Sequence, residues 1–180
     1  MLPKKVKQII EIEILNQVKK KNDLDLKQKM IEQGLYSVEE INKIFSDYDF
    51  KDEINECFKL INLEGRDPFY EFYSQISFPP MGKGEELFTL DQILENYQSQ
   101  NWLNLFPERV ALKEKYPHAG ERYLQITSIE GGGSYFYDKE TDYVYDVDWG
   151  REEDMITGKL KPWFTSFYDF LEWYYSDEDA

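Results

Sequence analysis

Residues 123–149, YLQITSIEGGGSYFYDKETDYVYDVDW, decide the fold. Up to about Gln100 the apolar residues recur at helical spacing, and from Arg122 onward the period changes to two, the period of a strand. Residues 123–129 read as a first strand, Gly131-Gly132-Gly133 as a corner, residues 134–137 as a second strand and residues 143–149 as a third. Residues 138–142 make the hairpin turn between the last two. The glycine triplet lies between strands and not between a strand and a helix, so it suits a sharp corner and not a phosphate cradle. Ser166 then caps a closing helix whose Phe167, Phe170, Leu171 and Tyr174 form one buried face. Helices, then strands, then a helix predict an α+β fold.

Upstream, caps and stripes divide the chain into helices. Ile9, Ile12 and Val18 give an apolar stripe that ends on Lys19, Lys20 and Lys21, where cations suit the helix dipole. Asp23 caps a second helix that Gly34 stops, and Ser37 with Glu40 forms a capping box for a third. Asp49 is expected to cap a fourth, which carries Ile54, Cys57, Phe58 and Ile61. Pro68 opens the next, with Phe69, Phe72, Tyr73 and Ile76 inward, and Thr89 caps one that runs to about Gln100. Residues 101–120 are interrupted by Pro107 and Pro117 and give no clear periodicity.

The chain has 180 residues, of which 41% are hydrophobic and 17% aromatic, so its net charge of −15 sits on a folded body and not on a disordered acidic chain. Residues 1–60 hold 11 lysines against 12 acids, whereas residues 61–180 hold 10 basic residues against 24 acids. An acidic field of this kind repels phosphate backbones and anionic membranes and attracts basic partners. Direct nucleic-acid or membrane binding is therefore not expected. The opening residues have only a short apolar stretch, broken by Glu11 and Glu13, and no small-residue cleavage site, so no export signal is expected. A single cysteine, Cys57, fits a reducing compartment, and the expected location is the cytoplasm.

Residues able to carry catalysis are few. His118 is the sole histidine, and no serine or cysteine sits in a nucleophile elbow. One histidine and one cysteine cannot build a structural zinc site. Asp146-Val147-Asp148 is a DxD that carboxylate-loving cations use, but Gly150 falls at the fifth position of a calcium loop and Thr157 at the twelfth, where glycine is needed at the sixth and glutamate at the twelfth. No metal or other cofactor is expected. In the third strand, alternation puts Tyr143, Tyr145, Val147 and Trp149 on one face and Asp142, Val144, Asp146 and Asp148 on the other. Glu152, Glu153 and Asp154 follow at once. These six acids, Asp142, Asp146, Asp148, Glu152, Glu153 and Asp154, read either as a solvated coat or as a docking surface for a basic protein, with aromatic neighbours supplying affinity.

The same residues carry a family likeness. Residues 126–138, then 142–146, then Thr165-Ser-Phe-Tyr-Asp-Phe-Leu171, resemble the second half of a SUKH (Smi/Knr-like) domain, with its glycine corner, aromatic strand, Val-Tyr strand and closing helix. Residues 54–73 with Pro68 and residues 87–93 resemble its opening helices and its entry to the next one. The likeness spans about residues 50 to 176; the family's asparagine-glycine after the opening helix is replaced by Ser77-Phe-Pro-Pro80. The resemblance implies a SUKH-like α+β domain over residues 49–180, an antiparallel or mixed sheet flanked by helices, with residues 1–48 as a helical N-terminal extension. It implies no catalytic residues and a protein-binding role, either as a bacterial immunity protein that neutralises a toxin, often a nuclease, or as an intracellular regulatory scaffold. A metal-dependent enzyme built on Asp146 and Asp148 is the remaining alternative.

Overall fold

The computed structural model describes residues 1–46, 50–63, 65, 67–104, 107–128 and 132–176, with the side chains of residues 101 and 107–109 left aside. Its helices are α1 (Lys4–Lys21), α2 (Leu24–Gln33), α3 (Val38–Ile44), α4 (Lys51–Leu60), α5 (Pro68–Tyr73) and α6 (Leu90–Ser99). Short helices α7 (Asn101–Asn104), α8 (Pro107–Lys115) and α9 (Ala119–Arg122) lead into strands β1 (Tyr123–Gln125), β2 (Gly133–Asp138) and β3 (Tyr143–Asp148). The chain closes with α10 (Glu152–Ile156) and α11 (Phe167–Tyr174). The architecture is α+β, and its three-stranded sheet has the order β1-β2-β3 with both pairings antiparallel.

Local chemistry accounts for the boundaries. Asp23 accepts the Leu26 amide at 2.9 Å, and Gly34 ends α2 at φ 64°. Ser37 with Glu40, and Thr89 with Gln92, form reciprocal capping boxes. Pro68 stands in the first turn of α5, and Ser166 accepts the Tyr168 amide to start α11. The cap expected at Asp49 lies outside the described residues, and α4 is preceded by Phe50. Pro107, read from sequence as an interruption, is the first residue of α8, the position where proline's fixed φ and missing N–H do no harm. The first strand is shorter than the alternation suggests. Thr127 Oγ1 accepts the Tyr135 amide at 2.7 Å, so a side chain replaces the ladder there, and Thr127 pairs instead with Leu87.

The sheet is buried on both faces. Leu124, Tyr135, Tyr137 and Val144 face a core made with Phe69, Phe72 and Tyr73 of α5, Leu90 and Ile93 of α6, and the apolar face of α11. Leu2, Val6 and Ile10 join this core, so the helical extension expected for residues 1–48 is rooted in the body by the first turns of α1. On the other face Tyr123, Phe136, Tyr145 and Val147 pack with Trp102, Leu103, Ala119 and Met155. The hairpin end is tied by Asp138, fully buried. It accepts Arg122 Nε at 2.9 Å and Nη2 at 2.6 Å, Thr141 Oγ1 at 2.7 Å and the Glu140 amide at 3.0 Å. At the free edge of the sheet, Val144 exchanges hydrogen bonds with Phe164 at 2.9 and 3.0 Å.

Candidate partner-binding surface

The far end of β3 carries the surface. Asp146 stands opposite Tyr135 and Asp148 opposite Gly133, so both carboxylates share the face of the main core but lie beyond the helices that cover it at Val144. A side chain on Gly133 would approach the Val147 carbonyl oxygen at 2.9 Å, which is why glycine allows β2 to run this close to β3. Tyr135 packs on Trp163 at 5.2 Å and on Phe170 at 5.8 Å, and its phenol hydrogen-bonds with the Glu85 backbone. Trp163 continues to Trp173 at 4.4 Å. Glu85 thereby comes near enough to Asp146 for its charge to act there, from a segment some sixty residues away in sequence. Both aspartates are exposed, and Trp149 and Trp163 present 47% and 39% of their surface nearby in the chain.

Although Asp146 is exposed as a residue, its carboxyl is crowded. Partial burial, then the charges of Asp148 and Glu85, push its pKa above the ordinary carboxylate value. Among the described residues no cation forms an ion pair with Asp146 or Asp148.

The other four acids do not extend this surface as the sequence implies. Asp142 turns the chain at φ 64°, accepts the Tyr137 hydroxyl at 3.1 Å and the Phe167 amide at 3.2 Å, and so ties the hairpin to the start of α11. Burial raises its pKa. Glu152 is only 3% exposed and cannot meet a partner directly, a correction to its expected place on the surface. Glu153 accepts Lys115 at 2.6 Å and the Tyr116 hydroxyl at 2.9 Å, and Asp154 pairs with Arg151 at 3.2 Å. The three consecutive acids form the first turn of α10, where negative charge suits the amide dipoles. The structure thus sets Asp148 and Glu85 around Asp146. Of these, Glu85 is invisible to strand alternation because only tertiary packing makes it a neighbour.

Other chemistry is thinly represented. His118 is exposed and lies 3.5 Å from Glu121. The Cys57 thiol is pushed up by burial and then by Asp91, the direction opposite to that of an activated nucleophile. Among the described residues no three His, Cys, Asp or Glu side chains gather as a metal-holding group, and no helix is long and apolar enough to cross a membrane. A cleft of about 260 Å³ is lined by Phe50, Lys51, Ile54, Asn55, Tyr70 and Ser74, where the Tyr70 hydroxyl donates to Asn55 at 2.9 Å. Compared with protein-family models, with curated proteins and with solved structures, the chain matches none.

Proposed function

We propose that this chain is a non-enzymatic binding protein that neutralises a basic protein, in the manner of SUKH immunity proteins, by covering a substrate cleft that is basic because it binds nucleic acid. The observation that carries this reading is Asp146 with the like charges of Asp148 and Glu85 around it, opposite a Tyr135 that packs on the partly exposed Trp163, and given no ion pair by the described residues. Like charges held together raise the energy of the free protein, and a cationic surface relieves that repulsion on binding. Acids steer and orient the partner, whereas Trp163 supplies apolar area of the kind that dominates affinity.

The test is capture from the native cell at low salt by the tagged chain, compared with the D146K/D148K variant. The expected result is a basic protein held stoichiometrically by the parent, released by salt and lost from the variant, its enzymatic activity blocked while bound. A partner that stays active while bound would indicate a regulatory scaffold in place of an inhibitor. Equal retention by parent and variant would remove these carboxylates from the interface.

A further inference from the structure

The first helix carries a second apolar stripe that its own chain leaves uncovered. Val6 and Ile10 point α1 into the core, but Ile12, Leu15 and Val18 are 57%, 60% and 50% exposed. At 3.6 residues per turn Ile12 and Leu15 lie on the side of the helix turned away from Val6 and Ile10, and Val18 lies on its flank. Scattered exposed aliphatics are ordinary, but three at i, i+3, i+6 on one helix form a seam of the type that packs against another helix.

Two pairs of positions around that seam are complementary in chemistry. Leu15 is its centre. Ile12 lies three residues before it and Val18 three after; Glu11 lies four before and Lys19 four after. Glu11 and Lys19 are exposed, and neither has an ion-pair partner among the described residues. They are two turns apart on their own helix, too far to pair with each other. In an antiparallel pair of α1 helices related by a two-fold axis at Leu15, residues equidistant from Leu15 come to the same level. Leu15 meets its copy, Ile12 is level with the copy's Val18, and Glu11 is level with the copy's Lys19, twice by symmetry. A parallel pair would instead set Glu11 against Glu11 and Lys19 against Lys19.

We infer that α1 is a self-association surface and that its occupant is the α1 helix of a second copy of this chain, antiparallel and in register about Leu15. The contact is small, so the dimer is reversible and concentration-dependent.

Sedimentation equilibrium of the full chain tests it with a charge swap. The parent is expected to dimerise with rising concentration. E11K alone and K19E alone each set like charges together and are expected to weaken self-association by roughly tenfold or more. Mixed one to one, the two variants form a heterodimer in which both cross-pairs are attractive, and the E11K/K19E double variant regains the parent's affinity. Because both positions are exposed, circular dichroism and thermal unfolding of every variant should match the parent, and L15E should be monomeric while still folded. A parent that stays monomeric at the highest soluble concentration overturns the inference, and so does a mixture that associates no better than its components.

Discussion

At the scale of single residues, the hairpin turn holds two charges in contrasting environments, Asp138 and Lys139. Burial works against the Asp138 carboxylate, but hydrogen bonds from Arg122, Thr141 and the Glu140 amide outweigh it and hold its pKa below the ordinary value. Removing one member of a buried pair costs about 3–5 kcal/mol. D138A is expected at the low end, because Glu140 remains 2.9 Å from Arg122, and urea denaturation reads the loss directly. Lys139 behaves in the opposite way. Its ammonium donates to the Ile61 carbonyl at 2.7 Å and lies 4.6 Å from the Tyr97 ring, and burial lowers its pKa from 10.5 to about 8 against the pull of Glu121 and Glu140. Between those two values the unfolded chain binds more protons than the folded one, so the Lys139 contribution makes the fold more stable as pH rises through that window. Buried tyrosines and Cys57 act in the other direction, since their raised values let the unfolded chain ionise first. The clean readout is the difference in unfolding free energy between the parent and K139M, which should grow in the parent's favour from pH 8 to pH 10; a constant difference would remove Lys139 as the cause. Neither role is legible in the sequence, where D-K-E-T-D reads only as a polar turn.

At the scale of elements, caps were the most readable features because each is completed within a few residues. Asp23, Gly34, Ser37 with Glu40, Pro68, Thr89 and Ser166 all mark helix ends, and each does so through a bond or backbone angle that its own segment closes. T89A should accordingly cost about 1 kcal/mol. It acts by loosening the start of α6, which brings Leu90 and Ile93 into the core, and a thermal shift checks it. Strand length was less readable, since the side chain of Thr127 breaks the ladder where alternation continues. The acids after β3 are ambiguous in sequence for a related reason. A run of charge looks alike on a coat and in the first turn of a helix, and only the packing of Met155 in the core behind it shows that α10 starts there. Asp146 and Asp148 were legible because alternation alone separates them from Tyr145 and Val147, whereas their neighbour Glu85 comes from a distant loop.

At the scale of the whole molecule, the near-neutral first third and the acidic remainder look like two bodies, but charge reports on surface and not on burial. Ile10 lies in the core shared with α5 and α11, so I10A is expected to cost roughly 2–5 kcal/mol, as a buried isoleucine does, and not the small loss of an appended helix. A chain starting at residue 49 should melt below the parent for the same reason; an unchanged melting temperature would place residues 1–48 outside the cooperative unit. The free edge of the sheet has a different consequence. Backbone groups of alternate β3 residues point outward, where Val144 is already bonded to Phe164 and the Asp148 carbonyl accepts the Arg151 amide at 3.0 Å. Between them lies only Asp146, a charged residue flanked by occupied positions. An edge open for one residue is too short to template a new strand, so the β3 side of the sheet is guarded against the strand-on-strand growth that leads to amyloid.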